Sequence, residues 1–230
     1  MFVAIPTRHQ PTYRWAIYFL LVAIAATFIW STDQPKSARD SLWLDWGALS
    51  AGFASADNFL LMFQDGSVLR LFTALFLHAD WSHLLGTLIF LLIFGLPTEG
   101  RLGPWRLLIL FLSGGALANF AAVLTIGTPD RVIIGASGAV SAVIGTYLTL
   151  FPGANLGVVV PLGVFWEFIR MPAPLLIGFW ALLQLVFTYI GPTYGHVAWS
   201  AHLTGFIFGV IYGLFVRTTI TKRLRKQHGF

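Results

Sequence analysis

Six mostly apolar stretches divide this chain, at roughly residues 14–31, 81–97, 104–125, 135–151, 173–190 and 196–216. A helix that crosses a bilayer needs about 20 such residues, at 1.5 Å each, to span a hydrocarbon core about 30 Å thick. The chain is 57% hydrophobic and 10% charged, whereas a soluble domain carries about 25% charged residues. These features predict an all-α polytopic membrane protein of six transmembrane helices. The first stretch follows Arg8 and Arg14 and resembles a signal peptide. It is longer than the usual apolar region of about 7–15 residues and no convincing A-x-A cleavage site follows it, so it reads as a retained span.

The connections differ in character. Residues 32–67 form a long segment with Trp43, Trp46, Asp57 and Phe63, a mixture expected at headgroup level. Residues 98–103, with Glu99 and Arg101, read as a short turn, and 126–134, 152–172 and 191–195 as loops. The basic cluster Arg217, Lys222, Arg223, Arg225 and Lys226 follows the last span. Such a cluster is a cytoplasmic anchor beside anionic lipid. The net charge of +5 is therefore no nucleic-acid footprint. With six spans the termini share one side. If that side is the cytoplasm, ten of the 14 Lys and Arg lie inside and four (Lys36, Arg39, Arg70, Arg131) outside. The expected layout is a cytoplasmic tail over 1–13, a six-span domain over 14–216 with 32–67 external, and a basic cytoplasmic tail over 217–230. A bacterial inner-membrane setting fits the short tails and the lack of a transit peptide. Cysteine is absent, which excludes disulfides and thiolate chemistry. No internal repeat suggests the inverted halves of a transporter.

Two polar residues stand out within the spans. Ser137 opens the fourth in Gly135-Ala136-Ser137-Gly138-Ala139, and His202 lies in the sixth in Ala201-His202-Leu203-Thr204-Gly205. An intramembrane histidine is costly and needs a partner. A serine becomes a nucleophile when a base takes its proton. Both residues fall on the order of 10 Å below the outer surface. Ser137, Ser141 and Gly145 share one helix face, and His202, Gly205, Gly209 and Gly213 form another. Small residues at such spacing let membrane helices approach closely. Ordinary packing explains the stripes but leaves His202 unexplained. The unpaired N–H groups at a helix start also suit an oxyanion beside Ser137.

Other readings are weaker. His78 and His83, five apart, would lie about 140° apart on a helix, which disfavours a shared metal. No His-Glu-x-x-His or paired intramembrane aspartate is present. Asp80 and Glu99 read as interfacial, Asn119 and Gln184 as interhelical hydrogen-bonding residues, and most tryptophans as interfacial belt.

In order along the chain, Leu69-Arg70-Leu71-Phe72-Thr73, Phe76-Leu77-His78-Ala79-Asp80-Trp81-Ser82-His83-Leu84, Phe94-Gly95, Glu99, Leu102-Gly103, the Ser137 motif and the His202 motif resemble the rhomboid family of intramembrane serine proteases. The resemblance runs from about Leu69 to Gly213. It implies a six-helix core with Ser137 as nucleophile, His202 as base, and His83 and the Ser137 N–H stabilising the oxyanion. It implies no metal, no cofactor and no acidic third member, and gives His78 no firm role. The fifth span and residues 191–195 would be the mobile gate and cap. Substrates would be single-span membrane proteins, cut near the outer face where helix-breaking residues expose the backbone. Lipid is the other partner and nucleic acid is not one. Two positions depart from the family. Thr87 replaces the usual asparagine four residues after His83 and could donate through its hydroxyl. Ser141 stands where an aromatic ring often packs on the histidine, so something else must orient His202. The alternatives are a rhomboid-like pseudoprotease that binds membrane clients without cleavage, and a small transporter or channel.

Overall fold

A computed structural model describes residues 14–50, 63–125, 131–162, 165–190 and 198–227. The expected 1–13 tail, the 191–195 connection, and parts of the 32–67 and 126–134 loops lie outside the described residues. Within them, helices cover all six apolar stretches: α1 (Ala16–Thr32), α4 (Trp81–Leu102), α5 (Pro104–Thr125), α6 (Ser137–Leu150), α7 (Ala173–Ile190) and α8 (Trp199–Gln227). Between α1 and α4 lie the short helices α2 (Lys36–Trp46) and α3 (Arg70–Thr73), the latter flanked by 3-10 turns. The protein is a helical polytopic membrane bundle. By length and composition α4, α5, α7 and the Trp199–Thr218 part of α8 are long and apolar enough to cross a membrane. Helices α1 and α6 are shorter, at 17 and 14 residues.

Helix α6 lies at the centre of the bundle. Eleven of its residues are buried, because α4, α5 and α8 all pack around it. Its small side chains let those neighbours come close. A β-carbon on Gly114 would meet Ala142, one on Gly115 Ala139, and one on Gly138 Ala118. Large outward residues such as Ile89, Ile109, Phe179 and Phe215 are exposed, as a lipid-facing surface requires.

Three features differ from the sequence expectation. The segment 98–102 is the last turn of α4, not a separate turn. The helix carries Pro97 within it and ends at Gly103, whose φ of 84° suits glycine. Glu99 is fully buried instead of interfacial. Its two carboxylate oxygens accept the N–H groups of Ala16 and Ile17, at 2.8 and 3.1 Å. Those donors open α1 and have no partner within their own helix, so an anion there satisfies both hydrogen bonding and the helix dipole.

The third difference is β-structure. Strands β3 (Asn155–Leu162) and β4 (Phe165–Pro172) pair antiparallel where a loop was expected. The β-branched run Val158-Val159-Val160 and the aromatic Phe165-Trp166 favour that pairing. A smaller ladder joins β1 (Ala48–Leu49) to β2 (Val132–Ile133). It fastens the first loop to the segment just before Ser137. Arg70 and Thr73 bond the carbonyls of Leu44 and Trp46 from the other side.

Candidate active site

The site is assembled where α4, α6, α7 and α8 meet. Ser137 is the first residue of α6. The chain reaches it through Gly135, whose φ is 115° and whose N–H donates to the carbonyl of Ala74 at 2.8 Å. A side chain is excluded at Gly135 for a second reason. Its β-carbon would lie 2.6 Å from His83 Nε2. The bare glycine thus admits the imidazole of His83 next to the start of α6.

His83 is set by the cap of α4. Asp80 is the N-cap, and its carboxylate accepts the N–H of His83 at 2.9 Å. The Ser82 hydroxyl donates to the same oxygen. These bonds, the Ser82 hydroxyl foremost, hold the Asp80 carboxyl below the usual carboxylate range. His78 precedes the helix, so it and His83 are not separated by the 140° of a shared helix. Its ring instead packs on that of His83, with centroids 4.9 Å apart. His78 is 1% exposed and neither ring nitrogen has a hydrogen-bond partner among the described residues. Burial, then the neighbouring His83, pushes its pKa down to about 4. Among the described residues no three His, Cys, Asp or Glu side chains converge.

His202 comes from α8, which packs closely on α6 along the expected glycine row. A β-carbon on Gly205 would strike the Gly138 carbonyl, one on Gly209 that of Ala142, and one on Gly145 that of Phe206. The Thr146 hydroxyl donates to the Gly209 carbonyl at 2.8 Å. This contact brings His202 Nε2 to 2.8 Å from Ser137 Oγ, across 65 positions of sequence. On the other side of the ring, Nδ1 is 2.7 Å from Gln184 Oε1 on α7. Trp199 meets the ring edge-on at 5.9 Å.

The remaining residues singled out in the sequence separate into distinct places. Ser141 makes no contact with the His202 ring among those described, and its hydroxyl donates to the Ser137 carbonyl at 2.7 Å. Thr87 is buried one turn beyond His83. Asn119 donates to the Leu71 carbonyl at 2.9 Å and ties α5 to α3. Gln184 forms the interhelical bond expected of it, and its partner is His202, which the sequence alone does not name. Its signal was a lone amide in an otherwise apolar span.

A family model described as the rhomboid domain matches residues 65–219, which include every residue of this site. The chain belongs to the rhomboid family. It is 25% identical over 231 aligned residues to Rhomboid-related protein 1 of Caenorhabditis elegans, covering 89% of this chain and 57% of that protein. "Putative rhomboid protease YdcA" of Bacillus subtilis (strain 168) is 34% identical over 84 residues, 36% of this chain and 42% of that protein. Inactive rhomboid protein 1 of Drosophila melanogaster is 27% identical over 164 residues, 69% of this chain and 10% of that protein. The chain thus spans about half the length of the first two relatives and a tenth of the third. Rhomboid kinship therefore includes a protein named as a protease and one named as inactive.

Proposed function

We propose that this protein is an intramembrane serine endopeptidase working through Ser137 and His202. The observation that carries the reading is the 2.8 Å approach of Ser137 Oγ to His202 Nε2, within the hydrogen-bond reach that nucleophile activation needs. Nε2 takes the hydroxyl proton as Oγ attacks the scissile carbonyl carbon. The carbonyl oxygen becomes an oxyanion, stabilised by the Ser137 N–H at the start of α6 and by His83. His202 passes its proton to the leaving amine. Water then attacks the acyl-enzyme, giving up a proton to His202, and Ser137 recovers it as the carboxylate product leaves. No cofactor or metal enters these steps.

The substrate class is single-span membrane proteins. A continuous helix hides its peptide bonds, so cleavage favours segments that unwind near the outer face. The asymmetry of Lys and Arg supports a six-span domain over 14–216 with both termini in the cytoplasm, as in a bacterial inner membrane. The basic residues past 216 then meet anionic lipid. Reporters fused after residue 230 should read cytoplasmic and those near residue 50 external. An external C-terminus would reverse this topology.

A second reading, a pseudoprotease that binds membrane clients, is favoured by Thr87 in the asparagine position and by the kinship with a protein named as inactive. One experiment separates the two. The purified protein is given a model transmembrane substrate in liposomes and a fluorophosphonate probe. Protease action predicts cleavage and labelling at Ser137, both lost in Ser137→Ala and His202→Ala. A folded wild-type protein that neither cuts nor labels supports the pseudoprotease.

A further inference from the structure

We infer that Gln184 is the third member of the Ser137–His202 constellation, a positioning residue that fixes the tautomer and orientation of the catalytic imidazole from α7. The inference rests on the protease reading above. It starts from the two ring contacts of His202, Nδ1 to Gln184 Oε1 at 2.7 Å and Nε2 to Ser137 Oγ at 2.8 Å. A neutral imidazole has one N–H and one lone pair. When the Gln184 carbonyl oxygen accepts from Nδ1–H, the lone pair is left on Nε2, facing the serine hydroxyl. That is the only neutral form able to take the Ser137 proton. With the amide turned so that its NH2 faced Nδ1, the ring proton would sit on Nε2. It would then point at Ser137 and block the base.

The position needs such a partner. Among the described residues no carboxylate bonds this ring, and Ser141 brings no aromatic side chain to it, its hydroxyl donating to the Ser137 carbonyl. Nor is Gln184 an exposed side chain that happens to lie close. It is 6% exposed, and of the buried residues on α7, Ala173, Ile177 and Gln184, it alone lies in the C-terminal half. Much of that half faces outward through Leu182, Leu185, Val186, Tyr189 and Ile190. The Gln184–His202 bond is thus both a tie holding α7 to the bundle and the setting of the base. A helix displaced there releases His202 from its working tautomer. An amide also differs from the carboxylate of a triad. It selects the tautomer but adds no negative charge to stabilise the imidazolium.

Because the bond also ties α7, loss of stability alone does not distinguish the roles. The deciding readout is the proton itself. Nitrogen-15 NMR of the labelled full chain in detergent, with the His202 signal assigned by its absence in His202→Ala, should show neutral His202 protonated at Nδ1. In Gln184→Leu the Nε2-protonated form should appear. Cleavage then reads the consequence. Gln184→Leu should lower kcat about 100-fold with KM changed less than about threefold, a loss smaller than the roughly 10⁴-fold cost of a wrong tautomer in a serine triad. Gln184→Glu should recover most of that loss and move the acid limb of the kcat/KM profile to higher pH, because a carboxylate favours the protonated ring. A wild-type His202 protonated at Nε2 overturns the inference, whatever the variants do. So does an unchanged kcat in a folded Gln184→Leu protein. A wild-type protein without cleavage or Ser137 labelling overturns the protease reading instead, and the NMR tautomer remains a separate result.

Discussion

Gly145 on α6 faces the backbone carbonyl of Phe206 on α8 with no side chain between them, so closely that a β-carbon could not fit. That contact lies two turns along α6 from Ser137 and about one turn along α8 from His202. The separation of the two helices there sets the separation of the two side chains. Gly145→Val should therefore push α8 away, at an overpacking cost of about 1–3 kcal/mol. Fluorophosphonate labelling of Ser137 should fall more steeply than the thermal midpoint. Gly86→Ala, where a β-carbon meets nothing within 4 Å, should change neither. Equal labelling in the Gly145→Val protein and wild type would show that the dyad does not depend on this contact.

Glu99 governs a different joint. Its buried carboxylate carries both opening N–H groups of α1, so Glu99→Ala strands two donors and should cost on the order of 3 kcal/mol. Glu99→Gln keeps one acceptor oxygen and should cost less. Thermal unfolding in detergent checks the order, with wild type most stable, Glu99→Gln next and Glu99→Ala least. A reversed order would mean that burial of the charge outweighs the cap.

His78 should make the fold sensitive to acid. Burial lowers its folded-state pKa to about 4 from an ordinary value of 6.5. Between those values the unfolded chain binds more protons than the folded one, so stability falls as pH falls through that window and is fully present above it. The difference corresponds to at most about 3 kcal/mol. The midpoint of wild type should drop from pH 7 to pH 4 by more than that of His78→Leu. Parallel curves would show that His78 is already solvated, for example by buried water. Asp80 acts lower, since its carboxyl is held below the usual range and loses its cap only in stronger acid.

These residues also show what the sequence could and could not reveal. The helices over the six apolar stretches were legible because hydropathy is a local property. The meeting of Ser137 and His202 was legible because small residues recur at helical spacing on both segments, and close approach follows from size alone. The role of Glu99 was hidden because its partners lie more than 80 positions away, and no pattern in α1 announces unpaired N–H groups. The β3–β4 ladder was hidden because Pro152-Gly153 reads as a loop and the apolar run after it is too short to cross a membrane. Gln184 reads in the sequence as an interhelical hydrogen-bonding residue. Its pairing with His202 depends on the rotation of α7, which the sequence does not set.

Under the proposed function, Thr87 bears most directly on rate, because the rhomboid resemblance implies an asparagine at its position. It is buried on α4 one turn beyond His83, and its hydroxyl has no hydrogen bond among the described residues. A threonine hydroxyl can donate one hydrogen bond to a developing oxyanion, though its reach is shorter than that of an asparagine amide. Loss of one oxyanion donor costs about 2.7–4 kcal/mol of barrier. If Thr87 supplies part of that, Thr87→Val should lower kcat, since valine keeps the shape and removes the hydroxyl. Thr87→Asn should raise kcat, by about tenfold, because an added donor favours the charged transition state over the substrate. His83→Ala should lower it more than Thr87→Val does. Thermal midpoints measured alongside separate these effects from a change in packing. A Thr87→Val protein with wild-type kcat would reduce Thr87 to a packing residue, leaving the oxyanion to His83 and the first turn of α6.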